Sequence, residues 1–245
     1  MKHVTIMGIP FLHTNQQSFV DLLDQRIQRG EKTFVITANP EVVMKARKDT
    51  QFMQHVQRAT YVVADGIGVV KAASLLKQPL PERVTGFDTM IHLLEIANKK
   101  HYRIFLLGAQ NDTLQKTVKK IEQQYPNIKI VGAQDGYFNW KSNEVADSIA
   151  KLQPDITFVA LGCPRQENWI ANNLSKFNQG VFIGVGGSFD GIAGTVKRAP
   201  VIFQKLNLEW FYRLLKQPSR WKRMLALPEF AILIMKQKLK GKTHE

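Results

Sequence analysis

The sequence has very little cysteine and no long apolar run. Cys163 is its one cysteine in 245 residues, which excludes an internal disulfide framework and is typical of a reducing compartment. No stretch of about 18 apolar residues occurs, so we expect no segment that spans a bilayer. The first residues lack the small-residue cleavage site of a signal peptide. These absences predict a protein that is made and kept in the cytoplasm.

The motifs of several common chemistries are missing too. No G-x-x-x-x-G-K-[ST] occurs, which excludes the P-loop nucleotide hydrolases, and no G-x-S-x-G nucleophile elbow is present. The glycine pairs at 66/68 and 184/186 are not followed by the third glycine of a dinucleotide fingerprint. The six histidines show no metal-ligand spacing. We therefore expect neither a cofactor nor a metal site.

Acidic residues are scarce toward the C-terminus, so the charge of the chain is uneven. The formal net charge is +14, and residues 196–245 carry twelve Lys or Arg against three Glu. The first 195 residues therefore have a net charge of only +5. A basic segment of this kind favours anionic membranes or nucleic acids as partners.

Short apolar runs alternate with segments of helical periodicity in the first 195 residues. Such alternation predicts a doubly wound, Rossmann-like α/β domain with a mostly parallel sheet over residues 1–195. Residues 196–245 lack strand-like alternation and contain two helix-breaking prolines, Pro218 and Pro228, so they predict a small C-terminal appendage of two or three short helices. The first expected strands, 4–7 and 11–13, could form a small hairpin or one bent strand. The others are 33–37, 60–64, 103–108, 128–131, 155–162 and 181–185.

Polar residues stand where several of these strands end. In a parallel sheet the carboxyl ends share one edge, so Thr37, Asn39, Asp65 and Gln166 should converge on one crevice. Each has a local alternative: Asp65 could be a helix N-cap, Thr37 and Asn39 could shape a turn, and Gln166 could face solvent. A glycine cluster after the last strand is a candidate for phosphate binding or a tight turn: Gly184, Gly186 and Gly187.

The C-terminal segment interleaves aromatic and apolar residues with cations. The run FAILIM, residues 230–235, would form about 9 Å of helix and cannot span a membrane. With Trp210, Trp221 and nearby lysines it could lie in a membrane interface, and the alternative is that it packs back on the core. From charge alone, the arginines of this segment predict a solvated basic surface.

Eight segments, taken in order, resemble the WecG/TagA/CpsF family of bacterial glycosyltransferases. The resemblance covers nearly the whole chain, and the last segment is most similar to the TagA branch. It implies an inverting, metal-independent transfer of N-acetylmannosamine from UDP-N-acetylmannosamine (UDP-ManNAc) to N-acetylglucosaminyl-diphospho-undecaprenol. The product would be the β-1,4-linked unit on which wall teichoic acid is built. The segments are GIPF, TANPE, ADGIGVV, PERVTGFD, IFLLGA, LGCPRQENWI, GVGGSFDGIAGTVKRAP and LEWFYRLLKQPSRWKR.

The resemblance also implies roles for individual residues. Asp65 matches the base that removes the acceptor hydroxyl proton, a role that contributes roughly 10²- to 10⁴-fold in rate. Thr37 and Asn39 match residues suited to holding sugar hydroxyl or acetamido groups. Arg83 matches an arginine that meets the diphosphate or the acceptor, and Gln166 matches a polar contact to the donor.

The resemblance also implies two roles for the appendage, residues 196–245: stabilising the leaving group and binding the membrane. Without a metal, cations must stabilise the charge that develops on the departing UDP. The resemblance also implies a peripheral enzyme whose appendage docks on the inner leaflet of the cytoplasmic membrane. The matching cations of the appendage are Arg213, Arg220 and Arg223.

Two alternatives stay open from the sequence. One keeps the family and changes the donor, for example to UDP-N-acetylmannosaminuronic acid. The other is a non-catalytic module whose basic tail binds nucleic acid. The positive charge is concentrated beside a compact apolar run, and polar residues stand at the strand ends. Both observations favour the enzyme, so we expect no nucleic-acid partner. Whether the chain forms a homo-oligomer is left open.

Overall fold

The computed structural model describes residues 1–196, 199–200, 202–203, 208–216, 221 and 225–241, with the backbone alone for residues 213, 240 and 241. In chain order the strands and helices are β1 (His3–Ile6), β2 (Ile9–Leu12), α1 (Gln16–Gln28), β3 (Thr33–Ala38), α2 (Pro40–Lys48), α3 (Thr50–Arg58), β4 (Tyr61–Ala64), α4 (Ile67–Leu75), α5 (Gly86–Lys100), β5 (Arg103–Gly108), α6 (Asn111–Gln124), β6 (Lys129–Gln134), α7 (Glu144–Leu152), β7 (Ile156–Ala160), α8 (Arg165–Asn173), a 3₁₀ turn (Leu174–Lys176), β8 (Val181–Gly184), α9 (Ser188–Ala193), α10 (Glu209–Lys216) and α11 (Ala226–Gly241).

Six strands form one parallel sheet in the order β4-β3-β8-β7-β5-β6. Strands β1 and β2 form a separate antiparallel hairpin that packs beside β4. The predicted Rossmann-like α/β class is therefore confirmed, and so is the hairpin. Because all six strands run the same way, their carboxyl ends lie along one edge of the sheet.

Helices cover both faces of the sheet. Side chains alternate along each strand, so Phe34 and Ile36 enter one apolar cluster while Val35 enters the other. The first cluster joins the sheet to α2, α3, α4, α8 and α11, and the second joins it to α1, α5 and α6. Every residue of β3 and of β7 is buried, as expected of central strands in a doubly wound sheet.

Helix α3 was not predicted from the sequence. Only Asp49 separates it from α2, and the side chain of Asp49 accepts a hydrogen bond from the Phe52 amide at 3.0 Å and caps the new helix. Its buried face consists of Phe52, His55 and Val56. The apolar residues of this stretch nevertheless have helical spacing in the sequence.

Helix α11 is longer than the short helices predicted for the tail. Pro228 does not break it, since this residue lies in the first turn, where the missing amide hydrogen is not needed. The helix packs on α2 and α4, and Lys48 Nζ contacts Glu229 Oε2 at 2.6 Å. Within the described residues, no helix has both the length and the apolar character needed to cross a membrane.

The FAILIM run lies inside α11, and its side chains divide between two environments. Phe230 and Ile234 are buried in the first apolar cluster, so this half of the run packs back on the core. Ile232 and Met235 are exposed. The run therefore packs back on the core through Phe230 and Ile234, and its position in a membrane interface stays a prediction.

Candidate active site

A cleft of about 490 Å³ opens at the carboxyl ends of β4, β3 and β8. Its far wall is formed by α10 and α11, so residues distant in sequence meet across it. Near the strand ends the lining residues are mostly polar: Asn39, Asp65, Arg83, Thr85, Ser188 and Glu209. Along α4 and α11 they are mostly apolar: Ala72, Leu75, Leu227, Phe230, Ile234 and Met235.

Asp65 lies on the cleft wall, directly after β4. Its backbone amide donates to the Ala38 carbonyl at 3.1 Å, which extends the pairing between β3 and β4 to the sheet edge. On the other side, the Val84 amide donates to the Ala64 carbonyl at 2.9 Å and ties the loop before α5 to the same strand. Backbone bonds on both sides thus hold the carboxylate at a defined position, partly open to solvent.

The two glycines after Asp65 allow a close approach between helices. Neither has a positive φ; instead, a Cβ on Gly66 would meet Pro40 Cδ at 2.8 Å, and a Cβ on Gly68 would meet Pro40 Cγ at 2.9 Å. Gly66 is the N-cap of α4, and Gly68 already belongs to that helix. Their absence of side chains lets the N-termini of α2 and α4 meet beside Asp65.

Asn39 caps a helix and also lines the cleft. Its side-chain oxygen accepts from the Val42 amide at 3.0 Å and caps α2, which is the local role expected of asparagine before Pro40. The residue also lines the cleft. Because the carbonyl oxygen is occupied by the cap, the side-chain NH₂ is the group that can face a ligand.

Thr37 and Gln166 lie behind the cleft wall. Thr37 is 8% exposed, and its hydroxyl donates to the Gly184 carbonyl at 3.0 Å. Gln166 is 4% exposed, and its side-chain oxygen accepts from the Gly186 amide at 3.1 Å. A Cβ on Gly184 would lie 2.5 Å from Gln166 Nε2, so only glycine fits there. Both side chains hold the backbone that follows β8.

A buried carboxyl group supports Gln166. Gln166 Nε2 donates to Glu167 Oε1 at 2.8 Å, and Glu167 is 1% exposed. Burial raises the pKa of Glu167, and the hydrogen bond from Gln166 offsets only part of that effect.

The cleft brings Arg83 together with the C-terminal segment. Arg83 Nη1 lies 3.6 Å from Glu209 Oε2, and both side chains are largely shielded from solvent. Glu209 and the adjacent Trp210 stand at the start of α10 and line the cleft. Sequence reasoning missed both, because nothing in the local pattern indicates that the first turn of this helix faces the sheet edge.

The structure describes the predicted glycine cluster fully, but only part of the set of appendage arginines. Gly187 is exposed and lines the cleft, whereas the amide of Gly186 is already bonded to Gln166. Arg213 belongs to α10, although its side chain lies outside the described part. Arg220 and Arg223 lie outside the described residues. The roles proposed for all of these residues remain predictions.

Lys71 is a further cation of the cleft that sequence reasoning missed. It stands in the second turn of α4, on the same face as Gly68 and Ala72. The available signal was its helical spacing from Ile67 and Gly68, four and three residues earlier in the helix after Asp65. Among the described residues, no group of three or more His, Cys, Asp or Glu side chains is arranged to hold a metal ion.

Comparison with known proteins gives relatives over the full length. A chain of Bacillus subtilis (strain 168) is 44% identical over 244 residues, which cover 99% of this chain and 95% of the relative. Relatives from Bacillus spizizenii (38% over 246 residues, 100% and 95% covered) and Staphylococcus aureus strain MW2 (39% over 241 residues, 98% and 94% covered) are also similar. All three are named N-acetylglucosaminyldiphosphoundecaprenol N-acetyl-beta-D-mannosaminyltransferase.

A family model matches almost the entire chain as well. The model is described as the glycosyl transferase WecG/TagA/CpsF family, and it matches residues 4–244. The match includes the strand ends that build the polar part of the cleft and the helices that form its far wall. The chain belongs to the WecG/TagA/CpsF family of glycosyltransferases.

Proposed function

We propose that the chain is an inverting glycosyltransferase that moves N-acetylmannosamine from UDP-ManNAc to N-acetylglucosaminyl-diphospho-undecaprenol with a β-1,4 linkage. This reaction builds the linkage unit of wall teichoic acid. The observation that carries the proposal is full-length similarity to relatives with that printed activity. The cleft supports it physically, because an acceptor with a sugar at one end and a lipid at the other needs a site that is polar at one end and apolar at the other.

Asp65 is the base in this proposal. Its carboxylate removes the proton of the acceptor hydroxyl while that oxygen attacks the anomeric carbon, and the bond from this carbon to the UDP oxygen breaks. The electron pair leaves with UDP, so one displacement inverts the anomeric centre. The position of Asp65 at the polar end of the cleft, on a backbone held from both sides, supports this role.

The other site residues divide between contact and support. Asn39 and Arg83 line the cleft and would contact sugar and phosphate groups there. Thr37 and Gln166 would support the segment Gly184–Gly187 from behind, and Gly187 would face the donor phosphates. Charge on the departing UDP would be stabilised by Arg83 and by the appendage cations Arg213, Arg220 and Arg223.

The C-terminal segment, residues 196–245, would act as a membrane-docking appendage to the domain formed by residues 1–195. Large apolar side chains that are exposed cluster in it: Ile202, Leu208, Trp210, Phe211, Leu215, Trp221, Leu225, Ile232, Met235 and Leu239. Apolar and aromatic side chains mixed with cations favour an anionic membrane interface. We therefore place the enzyme at the cytoplasmic face of the membrane that carries its acceptor.

The test is transfer from UDP-ManNAc to a short-chain lipid diphosphate carrying N-acetylglucosamine, followed as UDP release. Asp65→Asn should lose roughly 10²- to 10⁴-fold in turnover, because the amide cannot take a proton. Its melting temperature and its affinity for UDP should stay close to those of the wild type. Wild-type turnover in this variant would remove Asp65 as the base, and a folded wild type without transfer would refute the proposed reaction.

A further inference from the structure

The apolar end of the cleft is a groove between two helices. On α4, the residues that line it are Ile67, Gly68, Lys71, Ala72 and Leu75, a spacing that describes one helical face. This face starts beside Asp65 and runs away from the sheet edge. The groove therefore begins at the carboxylate and continues along the length of α4.

The opposite wall of the groove belongs to α11. Leu227, Phe230, Ala231, Ile234 and Met235 line it, again with the spacing of one helical face. Phe230 and Ile234 are buried at its floor, whereas Met235 is 51% exposed. The groove is thus closed near the core and opens toward the exposed side of α11.

Lys71 is the charged group at the junction of the polar and apolar parts. It stands four residues after Ile67, about 6 Å farther along the helix, which is about the breadth of a sugar ring. Arg83, the other cation that lines the described part of the cleft, already faces Glu209 at 3.6 Å. In the same described part, the Lys71 side chain forms neither an ion pair nor a hydrogen bond.

We propose that the groove between α4 and α11 binds the lipid end of the acceptor, with Lys71 on its diphosphate and the first isoprene units between Ala72, Leu75, Ile234 and Met235. The order of groups along the groove matches the order in the acceptor. The sugar hydroxyl lies at Asp65, the diphosphate one helical turn away at a lysine, and the hydrocarbon beyond it. A lysine ammonium is a suitable point charge for a phosphate, and the aliphatic walls remove hydrocarbon from water.

This inference rests on the proposed function. It adds the identity of the residues that select a lipid diphosphate as the acceptor. The same cleft also receives a nucleoside diphosphate, so the chemistry of Lys71 would suit either diphosphate. The lysine is placed on the α4 side, next to the apolar walls, whereas Gly187 and Ser188 line the cleft on the β8 side. This placement favours the acceptor diphosphate over that of the donor.

The test uses three acceptors in solution without vesicles: N-acetylglucosamine diphosphates that carry a methyl, a dimethylallyl or a farnesyl group. The KM of the wild type for the acceptor should fall at least about tenfold from methyl to farnesyl, because isoprene units leave water. Lys71→Met keeps the aliphatic stem and removes the charge. It should raise the KM for all three acceptors about tenfold and leave the KM for UDP-ManNAc within about twofold. Lys119→Met, an exposed lysine of α6, is the matched control and should change neither.

A second variant tests the groove without touching the charge. Ala231→Phe introduces a large side chain at an exposed position of α11, so the fold should be retained. It should raise the KM for the farnesyl acceptor about tenfold and leave that for the methyl acceptor unchanged, since only the longer chain reaches this part.

Other outcomes would overturn the inference. A wild-type KM that does not depend on chain length would exclude a lipid groove. A Lys71→Met variant that raises the KM for UDP-ManNAc alone would assign the lysine to the donor. One that weakens binding to anionic vesicles but leaves every KM unchanged would assign it to the membrane surface. A wild type that transfers to none of the three acceptors would instead contradict the proposed function.

Discussion

Thr37 and Gln166 do not line the cleft, yet both hold the backbone beside it. Both are buried, and both bond to the backbone that follows β8. A buried donor or acceptor without a partner costs about 1–3 kcal/mol, so these bonds fix the path of that backbone strongly. The sequence places the two residues at the correct strand ends, but the direction of each side chain depends on its packing neighbours.

Glu167 leads to a prediction about pH. Because its pKa is raised above the usual 4.5 in the folded protein, the native state binds more protons than the unfolded state above that pH. The contribution of Glu167 to the free energy of unfolding is therefore fully present below pH 4.5, and it is lost as the pH rises through the pKa of the folded state. Relative to Glu167→Gln, the wild type should lose free energy of unfolding as the pH rises, measured by urea denaturation.

The matched control for this prediction is Glu122→Gln, at an exposed glutamate of α6. The glutamine at position 167 keeps an oxygen that can accept from Gln166, so UDP release should persist in that variant. If the stability difference between the wild type and Glu167→Gln does not change with pH, or only follows that of the control, the burial argument is wrong.

At the scale of secondary structure, the site depends on the meeting of α2 and α4. Gly68→Ala would normally stabilise a helix by about 1 kcal/mol. Here the new Cβ would lie 2.9 Å from Pro40 Cγ, so the helices must separate. We expect a loss of about 1–3 kcal/mol in the free energy of unfolding and a lower turnover, because Asp65 precedes α4 directly. Denaturant unfolding and UDP release measure the two effects.

A double-mutant cycle identifies the contact responsible. Pro40→Ala removes Cγ, the atom that the new side chain would meet, so Gly68→Ala should cost less in that background than in the wild type. An equal cost in both backgrounds would show that the conflict with Pro40 is not the cause.

The two faces of α11 illustrate the same dependence on context. Phe230 and Ile234 pack against α2 and α4, and Ile232 and Leu239 are exposed on the same helix. An apolar run without alternation cannot tell which side is inward, since all its members look alike in sequence. Which of these side chains are buried and which are exposed is decided by where α11 packs on the domain.

For the whole molecule, the exposed apolar side chains of the C-terminal segment predict membrane binding. Ile232 and Leu239 are 57% and 62% exposed. Replacing both by serine should weaken sedimentation with anionic vesicles at least about tenfold, because each side chain loses part of the roughly 1.5–3 kcal/mol of its burial. The free energy of unfolding should change by less than about 0.5 kcal/mol for each exposed site.

Tyr137→Ser is the control for that experiment, because Tyr137 is 75% exposed but lies far along the chain from the C-terminal segment. Its vesicle binding should equal that of the wild type. Equal loss in the control and in the Ile232→Ser, Leu239→Ser variant would mean that the effect is general, and no loss in either would remove this face of α11 from membrane docking.

The sequence alone determined the alternation of strands and helices, the α/β class, the family and the strand ends that carry Asn39 and Asp65. These follow from local periodicity and from ordered motifs, which need no knowledge of distant contacts. The tertiary structure decided that Thr37 and Gln166 are buried against the backbone after β8, that Arg83 meets Glu209, and that Lys71 of α4 lines the cleft opposite α11. Those facts depend on packing between segments far apart in the chain, and side-chain direction is set there rather than by spacing along the sequence.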